Sequence, residues 1–238
     1  MKVAIFGMGY VGLSLGAFLS SRKIEVNFVD VDLEKANKFA KGENIIEEER
    51  VSEILKTKNL MKATTINGAL KDSKLAFICV GTPSKQNRSI NLDYVYSCFN
   101  SIVDVAKVDC LTPFGIVIKS TVLPGTTKNL IQTMKKKGLN LPVVFNPEFL
   151  REGSSWEDME NPDRIVIGDD NPEKEGTGGL LVLYNLVYGG RRVPIVYMNT
   201  VNAELTKYAS NAFLATKISF MNEMAEICEN TSGADIKE

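Results

Sequence analysis

Short apolar runs rich in β-branched residues recur along the chain, and stretches with helical spacing of apolar residues separate them. The runs are almost wholly apolar rather than alternating, which is typical of strands buried on both faces of a parallel sheet. Strands are predicted at residues 2–6, 25–30, 75–80, 115–120, 142–145, 164–168 and 193–198. Helices are predicted at 10–22, 32–41, 91–107, 125–137 and 172–188. This alternation predicts an α/β protein with a doubly wound, Rossmann-type parallel sheet.

From Asn202 onward the pattern changes to one long amphipathic helix, "NAELTKYASNAFLATKISFMNEMAEICEN", and no strand follows it. We therefore predict a Rossmann domain over residues 1–200 and a helical region over residues 201–238. A long helix that caps a Rossmann domain and leads to no further element suggests a second domain outside this sequence.

Charge is balanced along the chain, with 28 basic and 29 acidic residues. Such balance argues against a nucleic-acid partner, because binding to phosphates needs clustered Lys and Arg. The one tight basic run, residues 135–137, ends a predicted helix and indicates a solvated face. No apolar stretch reaches the roughly 18 residues of a membrane span, so no membrane association is expected.

The four cysteines (Cys79, Cys98, Cys110 and Cys228) lie far apart, with neither a CxxC pair nor metal-ligand spacing. We expect no metal site and a reducing, cytoplasmic location. The chain contains no histidine. Because histidine is the usual acid and base near neutral pH, proton transfer would fall to Lys, carboxylate, Cys or Tyr.

A glycine-rich turn, "GMGYVG", follows the first predicted strand and opens the first predicted helix. Its glycines allow a tight turn and close approach of backbone N–H groups to a pyrophosphate, at a helix N-terminus that favours anions. The predicted cofactor contacts in this turn are Gly7, Gly9, Tyr10, Val11 and Gly12.

An acidic residue, Asp30, ends the second predicted strand at the position where a carboxylate binds the adenosine ribose hydroxyls. A carboxylate there would repel a 2′-phosphate, so the sequence predicts NAD rather than NADP. The alternative is a bare glycine turn with a surface Asp. Lys35, further along, could lie beside the adenosine half of the cofactor or simply on a helix surface.

Six motifs occur in order along nearly the whole chain: "FGMGYVGLSLGAFLS", "VGTPS", "STVLPGTT", "NPEFLREGSS", "NPDRIVIG" and "AELTKYASNAFLATKISFMNE". Together they resemble the UDP-glucose/GDP-mannose dehydrogenase family. The resemblance implies oxidation of the C6 alcohol of a nucleotide sugar to a carboxylate with two NAD. It also implies a longer protein, with a catalytic cysteine in a "GG-x-C-x-P-K-D"-like loop.

None of the four cysteines lies in such a loop. The chain alone is therefore not expected to oxidise a nucleotide sugar, and Cys228 is interpreted as a buried structural cysteine.

In the segment "NPEFLREGSS", the resemblance implies that Glu148 handles the water proton during thioester hydrolysis. Glu152, one helical turn later, would tie the loop to cofactor and substrate. An exposed helix face is the alternative for this pair. Phe149, Leu150 and Arg151 would line the substrate side of the cleft, although core packing alone would also explain the apolar two.

Lys207 and Asn211 lie one turn apart on the predicted long helix. By resemblance, Lys207 would stabilise negative charge on the C6 oxygen and Asn211 would hold that oxygen. A lysine in solvent is the alternative.

Two threonines end predicted strands at the edge where ligands bind. Thr82 would sit near the nicotinamide ribose, flanked by the cofactor contacts Gly81 and Pro83. Thr121 would orient the water and also contact the cofactor. For both threonines, a hydroxyl that merely satisfies turn backbone is the alternative.

Three nucleotide-sugar substrates remain open. UDP-glucose is the first candidate, GDP-mannose is a second because "VGTPSKQN" looks somewhat like that branch, and UDP-N-acetylmannosamine is a third. A homodimer through the long helix is expected in the full-length enzyme. A non-catalytic NAD-binding module is the rival function, although such a module would need neither Glu148 nor Lys207 nor Asn211.

Overall fold

The structure, a computed structural model, describes residues 1–43, 45–109, 115–171 and 175–237, with the side chains of residues 175 and 176 left out. Cys110 and the first three residues of the helix predicted at 172–188 lie outside the described residues.

The described part of the chain forms one eight-stranded sheet in the order β3-β2-β1-β4-β5-β6-β7-β8. The strands are β1 Lys2–Phe6, β2 Glu25–Val29, β3 Met61–Ala63, β4 Leu75–Ile78, β5 Gly115–Ile118, β6 Val143–Phe145, β7 Ile165–Gly168 and β8 Ile195–Met198. The chain winds outward from β1 to β3, then crosses back to β4 and continues to the other edge. The point where the winding reverses therefore lies between β1 and β4, which is where such sheets bind ligands.

The sheet is parallel from β3 through β6, as predicted, but its last two strands run the other way. β7 pairs antiparallel with β6, with Phe145 opposite Gly168, and β8 then pairs parallel with β7. A parallel neighbour needs a crossover long enough to span the sheet. The helix between β6 and β7 is only six residues long, so the chain enters β7 from the edge at which it left β6.

Nine helices lie in the described residues: α1 Tyr10–Ser21, α2 Leu33–Lys41, α3 Glu49–Thr57, α4 Ile66–Leu70, α5 Asp93–Val108, α6 Thr126–Lys136, α7 Ser155–Glu160, α8 Glu175–Tyr188 and α9 Thr200–Glu229. Every predicted helix and strand is present. The elements missed from the sequence are α3, α4, α7 and β3. β3, α4 and α7 span only three, five and six residues, too few to show a period. α3 has nine residues, and its apolar positions at Val51, Ile54 and Leu55 follow the helical period without having been recognised.

Helices cover both faces of the sheet. α1, α3, α7 and α8 pack on one face around Phe18, Phe28 and Trp156. α4, α5, α6 and the start of α9 pack on the other around Phe99 and Phe145. The doubly wound α/β prediction is confirmed, and every strand end at the reversal point is held between two apolar layers.

The long helix α9 packs on the sheet only through its first turns, where Thr200, Ala203, Glu204 and Lys207 are buried. A Cβ on Gly168 would lie 2.7 Å from the Cβ of Ala203, so this glycine lets α9 approach β7 closely. Residues 211–223 of α9 are exposed throughout. Within the described residues, no helix combines the length and apolarity that a bilayer span requires.

Candidate active site

The glycine turn connects β1 to α1, and its three glycines meet different surroundings. Gly7 has a φ of +102°, and a Cβ there would lie 2.7 Å from the carbonyl oxygen of Cys79. A Cβ on Gly12 would lie 1.9 Å from the carbonyl oxygen of Gly7. A Cβ on Gly9 would meet no heavy atom within 4 Å. Two glycines therefore shape the turn, and the third leaves open space in front of the helix.

The N-terminus of α1 faces that open space without a side-chain cap, since Gly9 occupies the N-cap position. Asp30 lies beside it: the carboxylate accepts hydrogen bonds from the N–H of Met8 at 2.5 Å and of Asp32 at 2.9 Å. Uncapped helix N–H groups, open space at Gly9 and a fixed carboxylate at the end of β2 are what a dinucleotide needs. The residues present fit NAD.

Two further predicted cofactor contacts lie next to this turn. Val11 is half-buried and packs against the core on its face of the sheet. Lys35, near the start of α2, has its ammonium 4.0 Å from the carboxylate of Asp32. The contact of either side chain with NAD stays a prediction.

The ends of β4 and β5 bring the two predicted threonines to the same edge of the sheet. Gly81 and Pro83 are exposed, Thr82 and Thr121 are half-buried, and a Cβ on Gly81 would meet nothing within 4 Å. In the described part of the chain neither threonine hydroxyl has a hydrogen-bond partner. The neighbouring Ser120 instead donates to the carbonyl of Val80 at 2.7 Å. The turn-backbone alternative for the threonines is therefore without support.

A buried ion pair joins the end of β6 to α9. The ammonium of Lys207 lies 2.8 Å from Oε1 of Glu148, and the two side chains are only 5% and 13% exposed. The other carboxylate oxygen of Glu148 accepts from the N–H of Leu150 at 2.7 Å. The alternative in which Lys207 is a solvated helix residue is wrong.

Residues 146–154 form an irregular segment, and α7 begins only at Ser155. Glu148 and Glu152 therefore do not share a helix face, as their spacing suggested: Glu148 points into the ion pair and Glu152 is exposed. Side-chain hydrogen bonds at the start of the segment explain the difference. Asn146 donates to the carbonyl of Val166 at 2.8 Å, which holds this segment along β7.

Lys119, which the sequence analysis did not single out, anchors the same asparagine. Its buried ammonium donates to the carbonyl and the side-chain oxygen of Asn146, at 3.2 and 3.1 Å, and Tyr184 donates to that side-chain oxygen too. Burial lowers the pKa of Lys119, while the negative charge of Glu148 acts in the opposite direction. The only sequence signal was its place at the end of a strand.

The three predicted substrate contacts, residues 149–151, have different surroundings. Phe149 lies between two cations, with Cζ of Arg164 4.6 Å and Nζ of Lys207 5.4 Å from its ring centre. Leu150 packs against the apolar core. The guanidinium of Arg151 pairs with Asp158 at 2.6 Å, so this side chain is already engaged within the chain. A cavity of about 820 Å³ opens beside them, lined among others by Lys119, Glu148, Arg164 and Lys217.

Asn211 is exposed, one turn beyond the buried Lys207. The two residues follow one another along α9, but the sheet covers only Lys207. Contact of Asn211 with a substrate oxygen stays a prediction.

The described cysteines are free, and none lies in the ion-pair site. Burial raises the pKa of Cys79 to about 12 and also raises that of Cys98, so neither thiol ionises readily. Cys228 is half-buried near the end of α9, so its interpretation as a buried cysteine is wrong. The reason is that no other element packs on that part of the helix in the described structure.

Two glutamates that the sequence analysis missed fix neighbouring helices and loops through hydrogen bonds. Glu204 is fully buried and accepts from the N–H groups of Gly125 at 2.5 Å and Thr127 at 2.7 Å, which caps α6. Glu48, the N-cap residue of α3, accepts a hydrogen bond from Tyr10. Glu204 could have been noticed, because it precedes Lys207 by three residues on one helix. Glu48 could not, because its partners are far away in the chain.

Tyr10, the first residue of α1, has its pKa raised to about 12, by burial first and then by the hydrogen bond to Glu48. For Glu48 itself, burial raises the pKa, but hydrogen bonds from Tyr10, Ser155 and Gly153 outweigh it and the net pKa is lowered. The pair is therefore a neutral phenol bound to an ionised carboxylate.

Family models match most of the chain. The NAD binding domain of the UDP-glucose/GDP-mannose dehydrogenase family matches residues 1–187, and the central domain of the same family matches residues 201–238. The boundary predicted at residue 200 stays a prediction.

Curated relatives carry two substrate names. A UDP-glucose 6-dehydrogenase of Rickettsia conorii is 43% identical over 237 residues, which cover 98% of this chain and 53% of the relative. A GDP-mannose 6-dehydrogenase of Pseudomonas syringae pv. syringae is 36% identical over 248 residues, which cover 100% and 55%. The chain thus spans about half the length of the curated relatives it matches.

Among solved structures, a ternary complex of GDP-mannose dehydrogenase from Pseudomonas aeruginosa superposes with a TM-score of 0.89 at 34% identity, covering 100% of this chain and 55% of that one. A UDP-glucose dehydrogenase from Pyrobaculum islandicum superposes with a TM-score of 0.84 at 32% identity, covering 95% and 52%. The glycine turn, the buried ion pair and these matches all indicate the same family. The chain belongs to the UDP-glucose/GDP-mannose dehydrogenase family, with its NAD-binding domain in residues 1–187.

Proposed function

We propose that this chain is the cofactor-binding part of an NAD-dependent nucleotide-sugar 6-dehydrogenase, which oxidises the C6 alcohol of UDP-glucose to the carboxylate of UDP-glucuronate. The observation that carries the proposal is the buried Glu148–Lys207 pair at the strand edge that also carries the glycine turn. A module that only binds NAD has no use for a desolvated ion pair there, because burying two charges is costly.

The glycine turn and Asp30 would hold the cofactor by its pyrophosphate and its adenosine ribose. NAD, when bound, supplies the hydride acceptor for each of the two oxidation steps. The residues of this chain would place the alcohol, stabilise negative charge on its oxygen and manage the protons. The thiol that captures the aldehyde, and whose thioester the water hydrolyses, would come from a cysteine other than the four of this chain.

Lys207 would stabilise the developing charge on the C6 oxygen. Its ammonium has three N–H donors, and Glu148 engages one face of it at 2.8 Å. In a site this buried, a positive charge aimed at a developing oxyanion stabilises a transition state far more than it would in water. Glu148 would hold the ammonium in place and accept the proton of the hydrolytic water.

Thr121, Thr82, Glu152 and Asn211 would complete the site. Thr121 and Thr82 each present a hydroxyl without a partner in the described residues, at the ends of neighbouring strands. Thr121 would orient the hydrolytic water, and Thr82 would lie near the nicotinamide ribose. Asn211, exposed on α9, would hold the C6 oxygen, and the exposed Glu152 would tie its loop to cofactor and substrate.

UDP-glucose is the first substrate to test, because the 43%-identical relative acts on it by name. GDP-mannose is the second, because the ternary complex at a TM-score of 0.89 is a GDP-mannose dehydrogenase. UDP-N-acetylmannosamine is the third. The complete reading frame should be expressed and NADH formation followed with each nucleotide sugar in parallel. Turnover of none of them, by a protein shown to bind NAD, would contradict the proposal.

We also propose a homodimer through α9. Large apolar side chains on this helix are exposed, Phe213 to 67%, Ile218 to 56% and Phe220 to 61%, which is unfavourable unless another surface covers them. Sedimentation velocity of the full-length enzyme should show a dimer, and Phe213→Glu should weaken it. Val182→Glu, at an equally apolar exposed site on α8, is the matched control and should leave the dimer intact.

A further inference from the structure

Glu152 stands in a four-residue turn, and neighbouring residues hold the turn on both sides of it. The N–H of Ser154 donates to the carbonyl of Arg151 at 3.1 Å, and Gly153 has a φ of +82°. Glu152 itself is exposed and has no hydrogen-bond partner among the described residues. The position of its carboxylate therefore depends on what fixes Arg151 and Gly153.

Arg151 is hydrogen-bonded to Tyr10, and Gly153 is hydrogen-bonded to both Tyr10 and Glu48. The Tyr10 hydroxyl lies 2.9 Å from the carbonyl of Arg151 and also donates to the Glu48 carboxylate. The N–H of Gly153 donates to Oε1 of Glu48 at 2.9 Å, and the N–H of Ser155 donates to the same oxygen at 3.2 Å. One carboxylate oxygen of Glu48 thus accepts hydrogen bonds from a phenol and from two backbone N–H groups.

This cluster joins three separate parts of the fold. Glu48 is the N-cap residue of α3, Tyr10 begins α1 directly after Gly9, and Ser155 begins α7. Glu48 is only 7% exposed, and a buried carboxylate is stable only when it is hydrogen-bonded. The glutamate therefore keeps its partners, and through them the turn is fixed next to the glycine turn.

We propose that Glu48 is a positioning residue for the cofactor site: through Tyr10 and the N–H groups of Gly153 and Ser155, it holds Glu152 where the nicotinamide half of NAD binds. The inference rests on the proposed function, since it assigns Glu152 to the cofactor. The adenosine half would bind at Asp30, whose carboxylate is hydrogen-bonded to Met8 and Asp32 and not to Glu48.

The test compares NAD with ADP in calorimetry on the 238-residue chain. Glu48→Gln removes the negative charge that strengthens the hydrogen bonds from Tyr10, Gly153 and Ser155. The affinity for NAD should therefore fall by about tenfold, the loss typical of one charged hydrogen bond, while the affinity for ADP stays unchanged. Asp170→Asn is the control: Asp170 also accepts hydrogen bonds at the start of a helix, from the N–H and the hydroxyl of Thr200 at 3.0 and 2.6 Å, and it has no contact with the turn. It should leave both ligands unaffected.

Hydrogen exchange gives a readout without any ligand. The amides of Gly153 and Ser155 should exchange faster in Glu48→Gln, whereas those of the β1 core should not. Glu48→Asp is the second variant, should Glu48→Gln fail to fold. Its shorter side chain withdraws the carboxylate from the N–H groups of Gly153 and Ser155, so NAD binding should weaken while ADP binding does not. Combining Glu48→Gln with Glu152→Ala should weaken NAD no further than Glu152→Ala alone.

The outcomes separate the two ideas. A parent chain that binds no NAD would contradict the proposed function. A parent that binds NAD, with variants that bind it equally well or that lose ADP in equal measure, would overturn the role of Glu48 while leaving the proposed function in place.

Discussion

The cofactor side and the reaction side of this cleft lie at one edge of one sheet, but they are built in opposite ways. The cofactor side is formed mainly by backbone atoms and glycines: there is open space at Gly9 and a helix N-terminus without a side-chain cap, and a single carboxylate lies beside them. The reaction side consists of buried charged side chains with polar partners: Glu148 is paired with Lys207, and Lys119 is hydrogen-bonded to the neutral amide of Asn146. The first kind of site should respond to changes in shape and to loss of its one carboxylate, whereas the second should respond to any change in charge.

The largest effect is expected when the buried ion pair loses one partner. Lys207→Met leaves Glu148 charged and unpaired in a buried place, which should cost about 3–5 kcal/mol of unfolding free energy. Urea unfolding of the chain provides the measurement.

The matched control for this variant is Lys207→Met combined with Glu148→Gln, which keeps an oxygen for the N–H of Leu150 but removes the charge. The double variant should recover most of the loss. Single and double variants of equal stability would mean that the pair contributes nothing.

Next in size is the rate of the complete enzyme. Lys207→Ala should lower kcat by about 10² to 10³, or roughly 3 to 4 kcal/mol, because one stabilising charge at the developing oxyanion is lost. NAD affinity should stay the same, since Lys207 is on α9 and not at the glycine turn. The measurement is kcat per folded molecule, with Lys207→Arg as a control that retains the charge. A kcat within a few-fold of the parent would remove Lys207 from the reaction.

On the cofactor side, Asp30 should set the preference for NAD over NADP. Asp30→Asn removes the charge and keeps one of the two oxygens that accept from Met8 and Asp32, so the affinity for NAD should fall by about tenfold to a hundredfold while its advantage over NADP narrows. Asp32→Asn is the control, because Asp32 caps α2 from the neighbouring position. Equal affinities of the parent chain for both cofactors in calorimetry would refute the assignment.

The glycines of the turn should separate folding from binding. Gly12→Ala brings a methyl group to 1.9 Å from the Gly7 carbonyl and should cost about 1–3 kcal/mol of stability. Gly9→Ala meets nothing within 4 Å, so its stability cost should stay under about 1 kcal/mol, yet the methyl group fills the space meant for pyrophosphate and NAD binding should fall. Thermal unfolding and NAD titration of both variants test this, and tight NAD binding by Gly9→Ala would count against the pyrophosphate site.

The smallest effect concerns alkaline pH. The pKa of Tyr10 is raised from 10.0 to about 12, so between these values the unfolded chain has lost a proton that the folded chain retains. The contribution of Tyr10 to the free energy of unfolding should therefore be complete below pH 10 and be lost as the pH rises towards 12. Tyr10→Phe should reduce that fall, whereas Tyr94→Phe, at an exposed position, should not. Parallel curves of stability against pH for the parent and Tyr10→Phe would show that the Tyr10 proton is not held.

The cofactor side was predictable because its signals are local. A glycine turn between a strand and a helix, followed by an acidic residue at the next strand end, occupies one continuous stretch, and the structure has these elements where the sequence predicts them. The reaction side was predictable only as a list of residues from family resemblance. The spacing of Glu148 and Glu152 suggested a helix, but Asn146 and the neighbours of Gly153 hold this segment in an irregular form.

By itself the sequence determined the positions of seven strands and of the main helices along the chain, their burial in a doubly wound sheet and the NAD-binding turn, since each depends on neighbouring residues. Only the tertiary structure decided the reversed direction of β7 and β8, the burial of Lys207 against Glu148, the exposure of Asn211 and the contacts of Glu48. A hydrophobic pattern shows which face of an element is covered. Which charged side chains meet there depends on elements that approach from distant parts of the chain, and no local spacing records that approach.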